Sequence, residues 1–359
     1  EQKPSKPQTN VADALKAERT SDSIPGKFPA RVVKITDDNA INENGFNGEI
    51  IRQMFEKGIT ALSGKDPKQT FDMMFKSDDF IGIKVNPVGA GLISTRLEIV
   101  DAVIRWLKNN DITDNQNVIW ASFDFMLKDA GFKPELFQGL GIEGLQTMDE
   151  AAAEGTRKDN SKWLDADGKH VSLPLFDQEV YYYADVEAPQ DLNYLNQHVV
   201  NGKYSYFGKL LTQKLTKIIN IPVFKNTGNG ISMATKNIGY GAICNTGRLH
   251  QPLFFNVCTE VLAFPCIRDK MVLNITDGLR GQYDGGPGPN AGFVYDYNTL
   301  FFATDPIALD MTCHNLLVQK RKEMNVNVNE NHRYTEYLRY AQELNLGIAD
   351  PGKIEVIKL

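Results

Sequence analysis

Four apolar, β-branched runs each end on a charged residue, and the endings come in two matched kinds. Phe80-Ile81-Gly82-Ile83 leads into Lys84-Val85-Asn86, and Ile218-Ile219-Asn220-Ile221-Pro222-Val223-Phe224 into Lys225-Asn226. Val272-Leu273-Asn274-Ile275 leads into Thr276-Asp277-Gly278, and Leu300-Phe301-Phe302-Ala303 into Thr304-Asp305-Pro306. Runs of this kind, bounded by turn residues and separated by helical patterns, are buried strands of an α/β sheet. Open α/β sheets bind ligands in the crevice outside the carboxyl ends of their strands. If the four runs share a sheet and a direction, two lysines and two aspartates meet at one edge, an arrangement suited to a polar or anionic molecule.

The intervening segments supply the helices. Ile50, Ile51, Met54, Phe55 and Ile59 recur on one face of a helix expected over about 48–62. Leu97, Val100, Ile104 and Leu107 do the same over 95–109, where Thr95 and Glu98 have the spacing of a capping box. Ala30–Ile35 and Val118-Ile119-Trp120 read as further strands, and the strand–helix–strand order around them makes a βαβ unit with a parallel sheet. Helices are expected over 306–322 and 333–344, and a last short strand over 354–357. The expected fold class is α/β: a mostly parallel central sheet flanked by helices, with an inserted irregular α+β subdomain.

That insertion covers about 132–205, where Asp, Gly, Lys and Asn break the alternating order. Its Trp163, Tyr194, Tyr204, Tyr206 and Phe207 would form either a lid or a small core of their own. Residues 1–27 are polar and contain Pro, Ser and Lys, which suits a flexible spacer ahead of a single domain over 28–359. The first residue is Glu1. Such a start fits export to the periplasm or cell envelope with a targeting segment removed, or a chain trimmed at that point in the cytoplasm.

Composition narrows the function classes. The net charge is −6, and the lysines form neither a long run nor a basic stripe, so a nucleic-acid surface is not expected. No stretch approaches the roughly 20 apolar residues of a membrane span. Cys244, Cys258, Cys266 and Cys313 lack the paired spacing of zinc or iron–sulfur ligands, and their apolar neighbours suit buried thiols.

Two segments are dense in chemistry. Residues 225–239 hold Lys225, Asn226, Lys236 and Asn237 around glycines that would let backbone N–H groups approach a ligand, ahead of a possible helix N-terminus. The spacing is not that of a P-loop, so ATP is not implied. Residues 277–289 carry five glycines and two prolines, a composition expected to exclude regular structure, with Gly285 and Gly286 at its turn. Asp277 there is either capped by backbone donors or used. Asp305-Pro306 has the form of an N-cap followed by proline at N1. Asp310 and His314 stand four residues apart as an acid–base, metal or plain surface pair, and Arg248 and His250 would meet an anion.

Taken in order, these segments resemble a family of prokaryotic proteins known as domain of unknown function 362, some of which carry ferredoxin-like iron–sulfur modules. The matching stretches are Ile83-Lys84-Val85-Asn86 with Ser94-Thr95, Ile221 to Lys225 with Thr235-Lys236-Asn237, Asn274 to Gly278, Gly285-Gly286-Pro287, and Ala303 to Asp310. The resemblance implies an α/β fold, and members with such a polar start often look exported. It implies no settled reaction. Without clustered cysteines, an iron–sulfur cluster is not expected in this chain.

The first expectation is therefore an enzyme acting on a small anionic or carbonyl-bearing molecule. Lys225, Lys236, Asp277 and Asp305 would carry catalysis; Lys84, Asn86, Asn226, Asn237, Arg248, Gly285 and Gly286 would bind ligand. A divalent cation would sit on Asp277, Asp305 and Asp310. The alternative is a non-catalytic binding or maturation protein for an anionic ligand or cofactor; a purely structural surface protein is a third. Expected partners are a small molecule and a redox or maturation protein. Aspartates that all cap backbone groups would favour binding without catalysis.

Overall fold

The apolar runs lie side by side in one sheet. The computed structural model describes residues 7–145, 175–185, 203–251, 253–327 and 333–359, with the backbone alone for Arg248 and Arg333. Ten strands make up the main sheet: β1 Arg31–Thr36, β2 Ile81–Val85, β3 Asn117–Ala121, β4 Gly141–Gly144, β5 Lys217–Ile221, β6 Val223–Thr227, β7 Gly230–Ser232, β8 Met271–Gln282, β9 Val294–Ala303 and β10 Glu355–Lys358. Across the sheet the order is β10-β1-β9-β8-β5-β2-β3-β4, with β6 beside β8 and β7 beside β6. Every residue of β2, β3 and β5 is buried, as parallel strands covered on both faces require.

The chain leaves β2 in two directions. It adds β3 and β4 on one side, then returns to place β5 and β8 on the other. All these neighbours are parallel. The gap between β2 and β5 is thus the point where strand order reverses, and a crevice opens there at the carboxyl ends.

One face of the sheet is covered by α1 (Gly48–Ser63) and α2 (Leu97–Lys108). In α1, Ile51, Met54, Phe55, Ile59 and Leu62 are buried, each worth about 1.5–3 kcal/mol relative to exposure. The Asn47 side chain accepts the Ile50 N–H at 3.3 Å, and the helix stops at Gly64, whose φ of +71° suits a left-handed cap. On the opposite face, α3 (Ala234–Gly239) and the helix Phe254–Glu260 close a core containing Trp120, Leu215, Ile238, Val257 and Phe264. The helix α4 (Pro306–Glu323) packs Leu309 and Cys313 against Phe224 and Phe301.

Several expectations need correction. The run ending at Thr304-Asp305 is β9, which is antiparallel to both β8 and β1. Its charged end therefore lies at the amino edge of the parallel strands. The residues after Asp277 are not irregular: β8 runs on to Gln282. Glycine is needed there because a Cβ on Gly281 would stand 2.3 Å from the Phe224 carbonyl oxygen in β6. The glycine-rich loop after Lys225 is a tight hairpin, β6 pairing with β7 from Lys225↔Ser232 to Thr227↔Gly230. Helix α2 begins after Arg96 without a capping box. Thr95 Oγ instead accepts the Asn86 N–H and donates to the Ile221 carbonyl, both at 2.8 Å, and so ties the ends of β2 and β5 together.

From Pro7 onward, the stretch read as a spacer is packed. Gln8–Thr9 pairs with the strand Phe176–Asp185, Ile24 is fully buried, and Ile24 N–H donates to the Arg268 carbonyl at 2.8 Å. A polar side chain that looked solvated is a tether: Asn10 bonds the backbone of Tyr181 and Tyr183. Within the segment read as an insertion, β4 belongs to the main sheet, while Phe176–Asp185 and Tyr204–Gly208 make a separate three-stranded sheet with Gln8–Thr9. Tyr206 and Phe207 are core, not lid; Trp163 and Tyr194 lie outside the described residues. All four cysteines are buried thiols. No described helix is long and apolar enough to cross a membrane.

Candidate functional site

Strand register lines up four residues across the sheet. Trp120 pairs with Lys84, Lys84 with Asn220, and Asn220 with Asn274. Residues in register on neighbouring strands point the same way, so a polar row crosses one face beneath α3. Asn237 of α3 closes it from above, donating from Nδ2 to Asn220 Oδ1 at 2.8 Å and accepting from Lys84 Nζ at 3.0 Å. Asn220 Nδ2 donates to Asn274 Oδ1 at 2.9 Å. Gly241 makes room for the lysine: a Cβ there would lie 2.3 Å from Lys84 Cε and 2.9 Å from Nζ.

Two more lysines converge on this row. Lys225, on β6, is fully buried and donates to Asn86 Oδ1 at 3.3 Å and the Val88 carbonyl at 3.1 Å. It thereby fixes the loop after β2. Lys236, on α3, is partly buried, with its ammonium 5.1 Å from the Tyr240 ring centroid. Among the described residues none of the three has a carboxylate within ion-pairing distance. Burial, with the Lys236 charge behind it, pushes Lys84 down to about 7. Burial and the charges of Lys236 and Lys84 likewise push Lys225 down to about 7, against a smaller pull from Asp277. Lys236 is lowered by burial too.

A cavity of about 180 Å³ opens onto Lys84, Lys236 and Asn237. Its other walls are Asn86, Pro87 and Val88 after β2; Ser122, Phe123 and Met126 after β3; and Ser232, Tyr240, Gly241, Thr246 and His250. The His250 ring lies tilted against Tyr240, centroids 4.4 Å apart, and bonds the Thr246 carbonyl through Nδ1 at 2.8 Å. The cavity thus has a cationic floor and a partly aromatic mouth.

The aspartates do not reach it. Each of Asp277, Asp305 and Asp310 is fully buried, and each is committed to backbone donors. Asp277 accepts the N–H of Arg96 at 2.8 Å and of Leu279 at 3.1 Å. Asp305, at the far edge of the sheet, accepts four N–H groups, from Ile307, Ala308, Ala30 and Ile348. Asp310 accepts Ala234 and Thr235 N–H and the Thr235 hydroxyl, so the anion at the start of α3 is its own carboxylate. Burial raises all three to about 6 despite these donors. Among the described residues no three His, Cys, Asp or Glu side chains converge as a metal-holding group. His314 is pushed down to about 4 by burial and Arg321; Asp310 spends its oxygens on α3 instead.

Asn226 and Gly286 form a structural clasp, while Gly285 turns against Asn290 and Phe293. Asn226 Oδ1 accepts the Gly286 N–H at 2.8 Å, and a Cβ at Gly286 would stand 2.2 Å from the Asn226 carbonyl. Arg248 lies in the turn Gly247–Leu249. Of the residues expected to form a site, Lys84, Asn86, Lys225, Lys236 and Asn237 come together. Sequence reasoning missed Trp120, Asn220, Asn274 and Gly241. A signal for two of them existed: one asparagine interrupts each of the runs Ile218–Ile221 and Val272–Ile275, where a buried amide needs a polar neighbour.

No curated protein matches this chain. A crystal structure of a protein from Thermotoga maritima is similar at 8% identity and a TM-score of 0.37, with 83% of this chain aligned. The alignment spans 59% of that protein's chain, less than two thirds of its length. Residues 188–315 match the family described as Domain of unknown function (DUF362), the family that the motifs above resemble.

Proposed function

We propose that this chain binds a small anionic molecule in the cavity over Lys84, Lys236 and Asn237, with no aspartate acting as base. One observation carries the reading: the buried Lys84 and Lys225 and the partly buried Lys236 cluster without a carboxylate partner among the described residues. Burying unpaired charge is costly, and groups so perturbed at a cleft mark functional sites more often than scaffold. The position between β2 and β5 agrees, because strand order reverses there. A cavity of about 180 Å³ is small beside the roughly 300–1,000 Å³ of drug-sized pockets, so the ligand is a compact oxyanion or short carboxylic acid. Lys225 contributes charge from behind the wall and shapes the loop carrying Asn86 and Val88.

Calorimetric titration with inorganic phosphate, sulfate and malonate tests the reading. At least one should bind saturably and compete with the others. Lys236→Ala should weaken that binding about tenfold or more, as expected for one lost charge-assisted contact. Absence of saturable binding, or binding untouched by Lys236→Ala and Lys84→Met, would remove the proposal.

A further inference from the structure

We propose that Lys84 captures the carbonyl carbon of a small 2-oxo acid as an imine, with Lys236 holding that acid's carboxylate. This rests on the anion-binding reading and names its substrate class. The hydrogen-bond count around Lys84 motivates it. A neutral amine has two N–H donors, and Lys84 Nζ has two acceptors, the Val85 carbonyl at 2.6 Å and Asn237 Oδ1 at 3.0 Å. Both hydrogens are then satisfied and the lone pair is left over. Lys84 is a wall of the cavity, and Gly241 sets no side chain of its own against the amine. Desolvation next to a second cation is a recognised way to activate an amine nucleophile, and burial with Lys236 holds Lys84 near 7.

The two lysines divide the work. Lys236 keeps partial contact with solvent, so it is the better seat for charge, and a bound carboxylate stabilises its protonated form. A 2-oxo acid carries its carbonyl next to its carboxylate, which matches a neutral and a charged lysine sharing one cavity wall. In the reaction the Lys84 lone pair forms the N–C bond and the carbonyl π pair moves to oxygen, giving a carbinolamine. The oxygen then leaves as water with the two amine hydrogens as C=N forms. A proton from solvent makes the iminium, whose single N–H retains one of the two acceptors. Oxidation states balance without any further reactant.

The test is trapping on the whole chain. Protein is incubated with pyruvate or glyoxylate and sodium cyanoborohydride, which reduces an imine to a stable amine, and modified peptides are mapped by mass spectrometry. Labelling should concentrate on Lys84, about tenfold above any other lysine. Malonate should suppress it, Gly241→Ala should slow it by displacing the amine, and Lys84→Arg should abolish it. Labelling spread evenly over exposed lysines, or seated on Lys236, would overturn the assignment. Lys84 left unlabelled while malonate still binds would overturn the imine and leave the anion site standing; loss of malonate binding as well would overturn both.

Discussion

A lysine and an aspartate at the end of an apolar run look alike in sequence, since each is a charge where the pattern predicts none. Their partners separate them. Asp277, Asp305 and Asp310 are surrounded by backbone N–H groups, whereas Lys84 finds only a carbonyl and an amide oxygen. The lysines and Asn86 and Asn237 were legible because charge and amide at strand ends are rare without a use. Asp305 was legible in part, as the N-cap ahead of Pro306; the partners of Asp277 and Asp310 were not, because N–H donors belong to whatever backbone folds nearby. This difference predicts opposite mutational signs. Burying an unpaired charge costs free energy, and an apolar side chain of similar volume removes that cost. Lys84→Met should therefore hold or raise the melting temperature at pH 7 while anion binding disappears. A drop of several degrees in a melting curve would make Lys84 a structural post instead.

Strand direction decides which charges meet. Three of the four runs, β2, β5 and β8, are parallel, and β9 is not. The reversal was partly legible: parallel neighbours need a crossover of a dozen or more residues, usually a helix, and the glycine- and proline-rich residues 283–293 offer no helical period. The extension of β8 to Gln282 was hidden because its glycines answer to crowding from β6 and β9, not to a turn. Once β9 is inverted, Asp305 becomes a staple for three segments: Oδ1 holds Ile307 and Ala308 at the start of α4, and Oδ2 holds Ala30 before β1 and Ile348 near the C-terminus. Asparagine keeps the shape but turns one acceptor into a donor facing N–H groups. Asp305→Asn should cost about 2–4 kcal/mol, because the amide nitrogen leaves two buried N–H donors without an acceptor. The urea midpoint should fall accordingly, with anion binding retained in the folded fraction. An unchanged midpoint would show that these four hydrogen bonds carry little.

At the scale of the whole molecule, a chain of net charge −6 keeps a cluster of unpaired cations where its sheet changes order. Fold stability bears the consequence, and its pH dependence follows from the direction of the shifts. Lys84 and Lys225 ionise near 10.5 when unfolded and about 7 when folded. Below 7 both states are protonated and the cost of burying charge is present in full. Between those values the unfolded chain holds protons that the folded chain has released, so stability rises with pH, by up to about 1.4 kcal/mol per unit for each lysine. Buried thiols oppose this higher up, because burial raises Cys258 well above its unfolded value near 9.0. The informative window is therefore from about pH 7 to about pH 8.5, where thiol ionisation contributes little. Urea unfolding across it should give a midpoint that climbs with pH, and Lys84→Met should reduce the slope by about one proton's worth. A saturating anion should flatten the slope as well, since it favours the charged lysines in the folded state. If wild type and Lys84→Met share one slope, Lys84 is not the group being discharged, and the cost attributed to its burial is borne elsewhere.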